Sequence, residues 1–561
     1  MPTQPFLSTE RQVAATLEER YEHAETRELV GLVDEAAELI RTKGEAAFGL
    51  FRTAGSRWRS GETYIFVLDP AGMMLVHSDP AMEGKHQLEL KDINGKPIIR
   101  GLIGAATSAP DKPEGWYHYQ WPVPGAILPR WKSSYVRLVK APSGKSYIVG
   151  SGVYNDRMER AFVVDAVTNA VAEIERRGEA AFALLRDPTG PFIAKDAYIF
   201  VTDMEAVELV NPAFPNLEGR KLLDLKDTRG KYLNREMLDL IRSRGAGWVD
   251  YMWPKPGESV STEKSAYVSR AKLGDGSVMV GCGVYLSDAA KETGPAKKLT
   301  APELMTLVRE AAAILEERGE KAYADFRKKG SKWFRDETYL FVLTPDGTRA
   351  FHAAEPETAG QNWRDSKDIL GRPYATMMLE AGASRSGEGW IHYMYPEPGS
   401  IFPAWKSAFV KRVKFPSGKT HIVGCGIYNL QMDKSLIEDV VNRAAVLISE
   451  RGKSAFGQLR DLTGPFVFMD TYVFVQGTDG TELVNPVMPS LEGRNLTELK
   501  DLQGKTVVKD EIATALKQGS AWLEGYWYKP GDNTPARKLT YVRKVESGGE
   551  TYIVGSGIYA D

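Results

Sequence analysis

Tyr64-Ile65-Phe66-Val67 is written four times along this chain: YIFV at Tyr64, YIFV at Tyr198, YLFV at Tyr339 and YVFV at Tyr472. Each copy stands 20 residues after a glycine (Gly44, Gly178, Gly319, Gly452) and 13 before a histidine or asparagine (His77, Asn211, His352, Asn485). Spacing held over a whole chain marks one structural unit copied. The chain reads as four small modules, not one large enzyme core.

A lysine recurs downstream at Lys132, Lys264, Lys406 and Lys538, in steps of 132, 142 and 132 residues. The longer middle step locates an insertion in the polar stretch Lys291 to Thr300. The copies are of two kinds. The first and third share SRW/SKW (Ser56 to Trp58, Ser331 to Trp333), while the second and fourth share TGPF and LVNP followed by LEGR. This is an A-B pair duplicated, with boundaries expected at 1–25 (a helical extension), 26–156, 157–290, 291–432 and 433–561. Units of about 130 residues can each bury a core.

Within a copy the hydrophobic period changes. Leu29, Leu32, Val33, Ala36, Leu39 and Ile40 fall at helical spacing. After Gly44 the period becomes two: YIFVL and Met73 to His77 are strands joined by the turn Asp69 to Gly72. Trp116 to Trp121, Ser134 to Val139 and Tyr147 to Tyr154 follow, the last two joined by the hairpin signal Pro-Ser-Gly-Lys. The expected fold class is α+β: a long helix, then a mainly antiparallel sheet of about five strands.

Charge excludes some partners. With 72 basic against 74 acidic residues, no strong field favours nucleic acid or an anionic membrane. No apolar run reaches a membrane span of roughly 20 residues, and no signal peptide is visible at the amino terminus. The two cysteines, Cys282 and Cys425, occupy a slot filled elsewhere by Ser151 and Ser556, so a small residue rather than a redox or disulfide thiol is expected.

The strand YIFVLD, the run LVNPAFPNLEGRKLLDLKDTRGK (Leu209 to Lys231), GWVDYMWPKPG (Gly247 to Gly257), KSAY (Lys264 to Tyr267) and GCGVY (Gly281 to Tyr285) together resemble the Cache superfamily of ligand sensors, in its type 2 single and double forms. The resemblance implies PAS-like modules with a pocket over one sheet face, binding small organic acids, amino acids or related metabolites. It also implies a periplasmic or secreted setting and a membrane-bound receptor or kinase as partner; a cytoplasmic location stays open. This chain has Asn211-Pro and Asn485-Pro where the family shows His-Pro, and Gly525 where the other copies have Tyr119, Tyr251 and Tyr393.

Candidate ligand-binding residues follow from what recurs. The lysines are the first choice, either paired with the recurring aspartates Asp92, Asp227, Asp368 and Asp501 or free for a ligand carboxylate. Aromatic walls come from Tyr64, Tyr198, Tyr339 and Tyr472; from Tyr119, Tyr251 and Tyr393; and from Trp121, Trp253, Tyr395, Tyr526 and Trp527. Trp116 and Trp121 are an odd number apart, so one faces core and the other a pocket or interface. Polar groups are His77, His118, His352 and His392 in the A copies, with Asn211 and Asn485 in the B copies. Arg57 and Trp58, with Lys332 and Trp333, complete the set. Two histidines per A copy lack a third ligand at metal spacing, so neither metal nor cofactor is expected.

SGKS (Ser143 to Ser146) lacks the upstream glycine of a phosphate loop, and no nucleophile–base pattern occurs. The expectation is a binding protein for small carboxylates, not an enzyme. A scaffold with pockets filled by its own side chains is the alternative.

Overall fold

A computed structural model describes residues 17–108, 113–123, 129–154, 158–258, 260–286, 299–335, 337–398, 400–530 and 535–560. Of the insertion expected at Lys291 to Thr300, residues 291–298 lie outside them, as do the first 16 residues of the expected extension.

Each module opens with a long helix: Ala24–Lys43, Arg160–Arg177, Ala301–Arg318 and Lys434–Arg451. The stripe read from the sequence is the buried face, with Leu29, Val33, Ala36 and Ile40 fully enclosed. The glycine 20 residues before each tyrosine ends the helix. Gly44, Gly178, Gly319 and Gly452 sit at φ of 60°, 62°, 55° and 57°, a turn out of the helix that side chains resist.

The sheet of the first module contains Phe66–Leu68, Met74–Val76, Glu114–Pro122, Pro129–Lys140 and Ser146–Val153, all antiparallel, in the spatial order second, first, fifth, fourth, third. The other three modules repeat that order. Alternation along YIFV divides the residues between faces. Ile65 and Val67 join the core under the long helix, while Tyr64 and Phe66 join a second core on the other side.

A second helix covers that other side: Ile98–Thr107, Leu233–Arg244, Tyr374–Ala383 and Val507–Gln518. The sequence reading passed from turn to strand without it, although Ile98, Ile99, Leu102 and Ala106 are spaced for one buried helical face. The recurring Asp at the start of this segment is structural. Asp92 Oδ1 accepts the amides of Asn94 and Lys96, and its Oδ2 accepts that of Gln120 on the edge strand. Asp227, Asp368 and Asp501 hold Met252, Met394 and Tyr526 in the same way.

A buried cation links the two modules of each pair. Lys96 of the first module donates to the carbonyls of Gly190 and Ile193 in the second, both at 2.6 Å. Arg372 of the third donates to Gly464 at 2.7 Å and also to the Val467 carbonyl in the fourth. The acceptors lie in and directly after the TGPF turns peculiar to B modules. Among the described residues no helix is long and apolar enough to cross a membrane.

Candidate ligand-binding site

The lysine on the fourth strand is buried in every module. In the closing Gly-x-Gly, the first glycine gives room to the YIFV phenylalanine: a Cβ on Gly150, Gly281, Gly424 or Gly555 would lie 2.6, 2.2, 2.4 or 2.3 Å from that ring. The second glycine gives room to the lysine stem, since a Cβ on Gly152, Gly283, Gly426 or Gly557 would lie 2.5 to 2.7 Å from the lysine Cε. The lysine therefore lies flat on its own sheet, and its ammonium ends between two tyrosines.

Those rings are the YIFV tyrosine and the tyrosine that closes the module. Nζ lies 3.9 and 4.9 Å from the Tyr64 and Tyr154 centroids for Lys132, and 4.1 and 5.0 Å from Tyr198 and Tyr285 for Lys264. For Lys406 the distances to Tyr339 and Tyr428 are 3.8 and 4.7 Å; for Lys538 to Tyr472 and Tyr559 they are 4.4 and 5.1 Å. Cation–π attraction partly offsets the loss of water. Lys264, Lys406 and Lys538 also donate to the first tyrosine's hydroxyl at 3.0, 2.6 and 3.2 Å. Lys132 Nζ is buried with no hydrogen-bond partner among the described residues. No KD-turn aspartate accepts a bond from these lysines; those carboxylates are taken by backbone amides. Burial lowers the lysine pKa well below its usual value for Lys132, to about 8 for Lys264 and to about 7 for Lys406.

In the third module a cavity of about 340 Å³ is lined by Tyr339, Tyr374, Tyr393, Tyr395, His352, Lys406 and Arg349. Arg349 donates to Glu355 and Thr358, each at 2.9 Å, and to the Tyr395 hydroxyl at 3.1 Å, and lies over Trp363. His352 Nδ1 accepts the amide of Glu355 at 2.9 Å. Burial, with Arg349 and Lys406 nearby, drops its pKa to about 2, so the ring is neutral with its proton on Nε2. His77 in the first module is held alike by Asp79 and lowered by burial to about 4. There Tyr64, His77, Tyr119 and Trp121 line a cavity of about 280 Å³, with Lys132 behind the Tyr64 ring.

The B modules differ. Asn211 and Asn485 are spent internally, donating to Glu208 and Glu482 at 2.7 and 2.8 Å and accepting from the Phe214 and Met488 amides. In the second module, Tyr198, Tyr251, Trp253 and Phe214 pack together, and Phe402 of the third module closes on them at 4.8 Å from Trp253 and 5.7 Å from Phe214. In the fourth, Tyr472, Tyr526, Trp527, Asn485 and Lys538 line a cavity of about 390 Å³.

Several expected residues lie elsewhere. His118 and His392 face the other side of the sheet, where each bonds a serine at 2.8 Å; His118 packs 5.0 Å from Phe162 and His392 stacks 3.9 Å from Phe468 of the following module. Their even spacing from the core-facing Trp116 and Trp390 carried that signal. Trp58 and Trp333 pack under the long helix against Phe51 and Phe326. Arg57 and Lys332 are exposed and paired with Glu35 and Glu310 on it. Sequence reasoning also missed the position ten residues after each YIFV tyrosine: Met74, Glu208, Arg349 and Glu482. Lining up the four copies there shows three different chemistries in one buried slot.

Among the described residues no group of three His, Cys, Asp or Glu is gathered to hold a metal, and both cysteines are free and buried.

Family comparison agrees with the architecture. The Cache domain family matches residues 178–301, 309–445 and 427–561, and the Single Cache domain 2 family matches residues 34–165. Methyl-accepting chemotaxis protein McpP of Pseudomonas putida is 34% identical over 97 residues, 17% of this chain and 18% of that protein. Sensor histidine kinase MctS of Rhizobium johnstonii is 35% identical over 92 residues, 16% and 19% of the two chains. The matched segments thus span under a fifth of these relatives. A solved periplasmic sensor domain of a chemotaxis protein is 33% identical, covering 22% of this chain and 90% of its own, with a TM-score of 0.19. Four sheets of one strand order, each with a helix on either face, make this chain a member of the Cache family, built as an array of sensor modules of the kind that bind small ligands.

Proposed function

We propose that the chain is an extracytoplasmic sensor or solute-binding protein for small organic acids, and that its third module is the principal acid site. One observation carries the reading: Arg349 and Lys406 converge on a single cavity walled by four tyrosines. Lys406 bonds only phenols there, so its charge has no hydrogen-bonded counter-ion. A carboxylate accepting from both cations gains charge-assisted bonds in a site shielded from water. His352 Nε2–H adds a neutral donor. The cavity suits a short acid, with ring faces excluding water around its stem. We read the module as binding its ligand without transforming it. The partner class we propose is a membrane-bound receptor or kinase, which the similarity to a methyl-accepting chemotaxis protein and a sensor histidine kinase supports.

Isothermal titration of short carboxylates into the wild type and into Lys132→Ala, Lys264→Ala, Lys406→Ala and Lys538→Ala is the test. Lys406→Ala is expected to weaken binding about tenfold or more, the effect of losing one charge-assisted donor. No heat with any carboxylate sinks the reading. For the second module the scaffold reading is favoured, because Phe402 occupies the mouth.

A further inference from the structure

The fourth cavity departs from its siblings on several walls at once. Glu511, on the second helix, stands where the others carry Leu102, Met237 and Met378. Gln476 replaces Leu68, Thr202 and Leu343, and Gly525 replaces Tyr119, Tyr251 and Tyr393. Val507 replaces Tyr374, so the stacked pair Tyr374–Tyr393 of the third module has no counterpart. Space opens where rings stood. Polar groups enter where apolar ones stood.

Those groups are poorly satisfied. Glu482 and Glu511 are 2% and 4% exposed, and both line the cavity. Glu482 Oε1 accepts from Asn485, but its Oε2 and the Gln476 Oε1 are buried with no hydrogen-bond partner among the described residues. Lys538 is the one basic group on the cavity wall and can balance one carboxylate. The second carboxylate faces the cavity without a counter-ion. Buried oxygens of this kind are costly unless something supplies donors.

We infer that the fourth module binds a small organic ammonium, held by Glu482 and Glu511 against the rings of Tyr472, Phe474 and Trp527. The inference rests on the reading that Cache cavities in this chain hold ligands, but it assigns the opposite charge. An acid would meet two carboxyls here, whereas an ammonium supplies the missing donors and the missing charge, and ring faces attract cations. Linkage gives a further signature. Burial pushes Glu482 up to about 8 and Glu511 up to about 7. Lys538 opposes both shifts, as do Asn485 and Gln476 at Glu482 and Gln476 and Thr540 at Glu511; Asp510 adds to that of Glu511. A bound cation favours the ionised carboxyls, so binding releases protons and strengthens with rising pH.

The experiment uses the full chain, with n-butylammonium and n-butyrate titrated in parallel and methylammonium through propylammonium as a size series. Expected is saturable n-butylammonium binding that strengthens between about pH 6 and pH 8 and weakens about tenfold or more in Glu511→Gln and Glu482→Gln. Both variants keep the side-chain shape while removing the ionisable carboxyl, and circular dichroism verifies their folds. Should Glu482→Gln fail to fold, Glu511→Gln carries the test. Absence of binding by every ammonium in the series overturns the inference, and so does unchanged affinity in folded Glu511→Gln. Butyrate heats report the acid site separately: their absence, extended to every short carboxylate, sinks the proposal for the third module and leaves this one standing.

Discussion

Arg372 in the third module and Gly464 in the fourth are joined guanidinium to carbonyl at 2.7 Å, as Lys96 and Gly190 are joined at 2.6 Å in the first pair. The equivalent Lys231 and Lys505 of the B modules instead sit at the surface and reach the carbonyls of Asp250 and Glu524 in their own modules. One position is thus a clamp in A modules and a surface residue in B modules.

Arg372→Met is expected to cost about 3 kcal/mol, because it leaves several carbonyls of the partner turn buried without donors. Lys505→Met is expected to cost under about 1 kcal/mol. Urea unfolding of both variants checks this, and equal costs would deny the clamp its role.

Gly426→Ala tests how the proposed acid site is built. Its new Cβ would lie 2.5 Å from Lys406 Cε, so the ammonium must leave its place between Tyr339 and Tyr428. Carboxylate affinity is expected to fall about tenfold, with a stability loss of about 1–3 kcal/mol from overpacking. Titration together with thermal melting separates the two effects.

Phe402→Ala removes the ring that covers Trp253 and Phe214. The variant is expected to lose about 2 kcal/mol, below the roughly 3–5 kcal/mol of a fully buried aromatic because Phe402 is only half-buried, and to expose the second module's rings. Quenching of tryptophan fluorescence by acrylamide should increase; an unchanged quenching constant would show that the ring covers nothing.

Acid–base linkage gives a fourth expectation. Burial pushes Glu208 up to about 8, above its value in an unfolded chain of about 4.3. The folded state therefore holds more protons than the unfolded state across that window, and stability falls as pH rises from about 4.3 to about 8. Lys264, lowered to about 8, works at higher pH: stability rises as pH climbs from about 8 towards 10.4. Glu208→Gln should flatten the lower slope, as read from denaturation midpoints at successive pH values.

The repeat made the architecture legible, because one period repeated four times outweighs any single ambiguous strand. Gly44 and its counterparts could be recognised as punctuation, and each proves to be a helix stop. The second helix was missed because it is short and follows a turn directly, where apolar residues such as Ile98 and Ile99 read equally as strand. Tyr64, His77, Lys406 and Trp527 were recognisable as pocket candidates because they recur in kind. His118 and His392 recur too, yet they face the other side of the sheet and pack against the next module; recurrence marks a shared fold as readily as a shared site. Arg349, Glu482 and Glu511 went unread for the converse reason. They are where the copies disagree, and a search for what repeats passes over what differentiates.

Phe402 lies 149 residues after Trp253 in the chain, yet it forms the lid of that earlier module. Cutting the protein between its two halves would therefore leave the amino-terminal fragment with an uncovered greasy hollow, inviting self-association. The halves are duplicates by descent but no longer interchangeable pieces: one has come to serve as the stopper of the other.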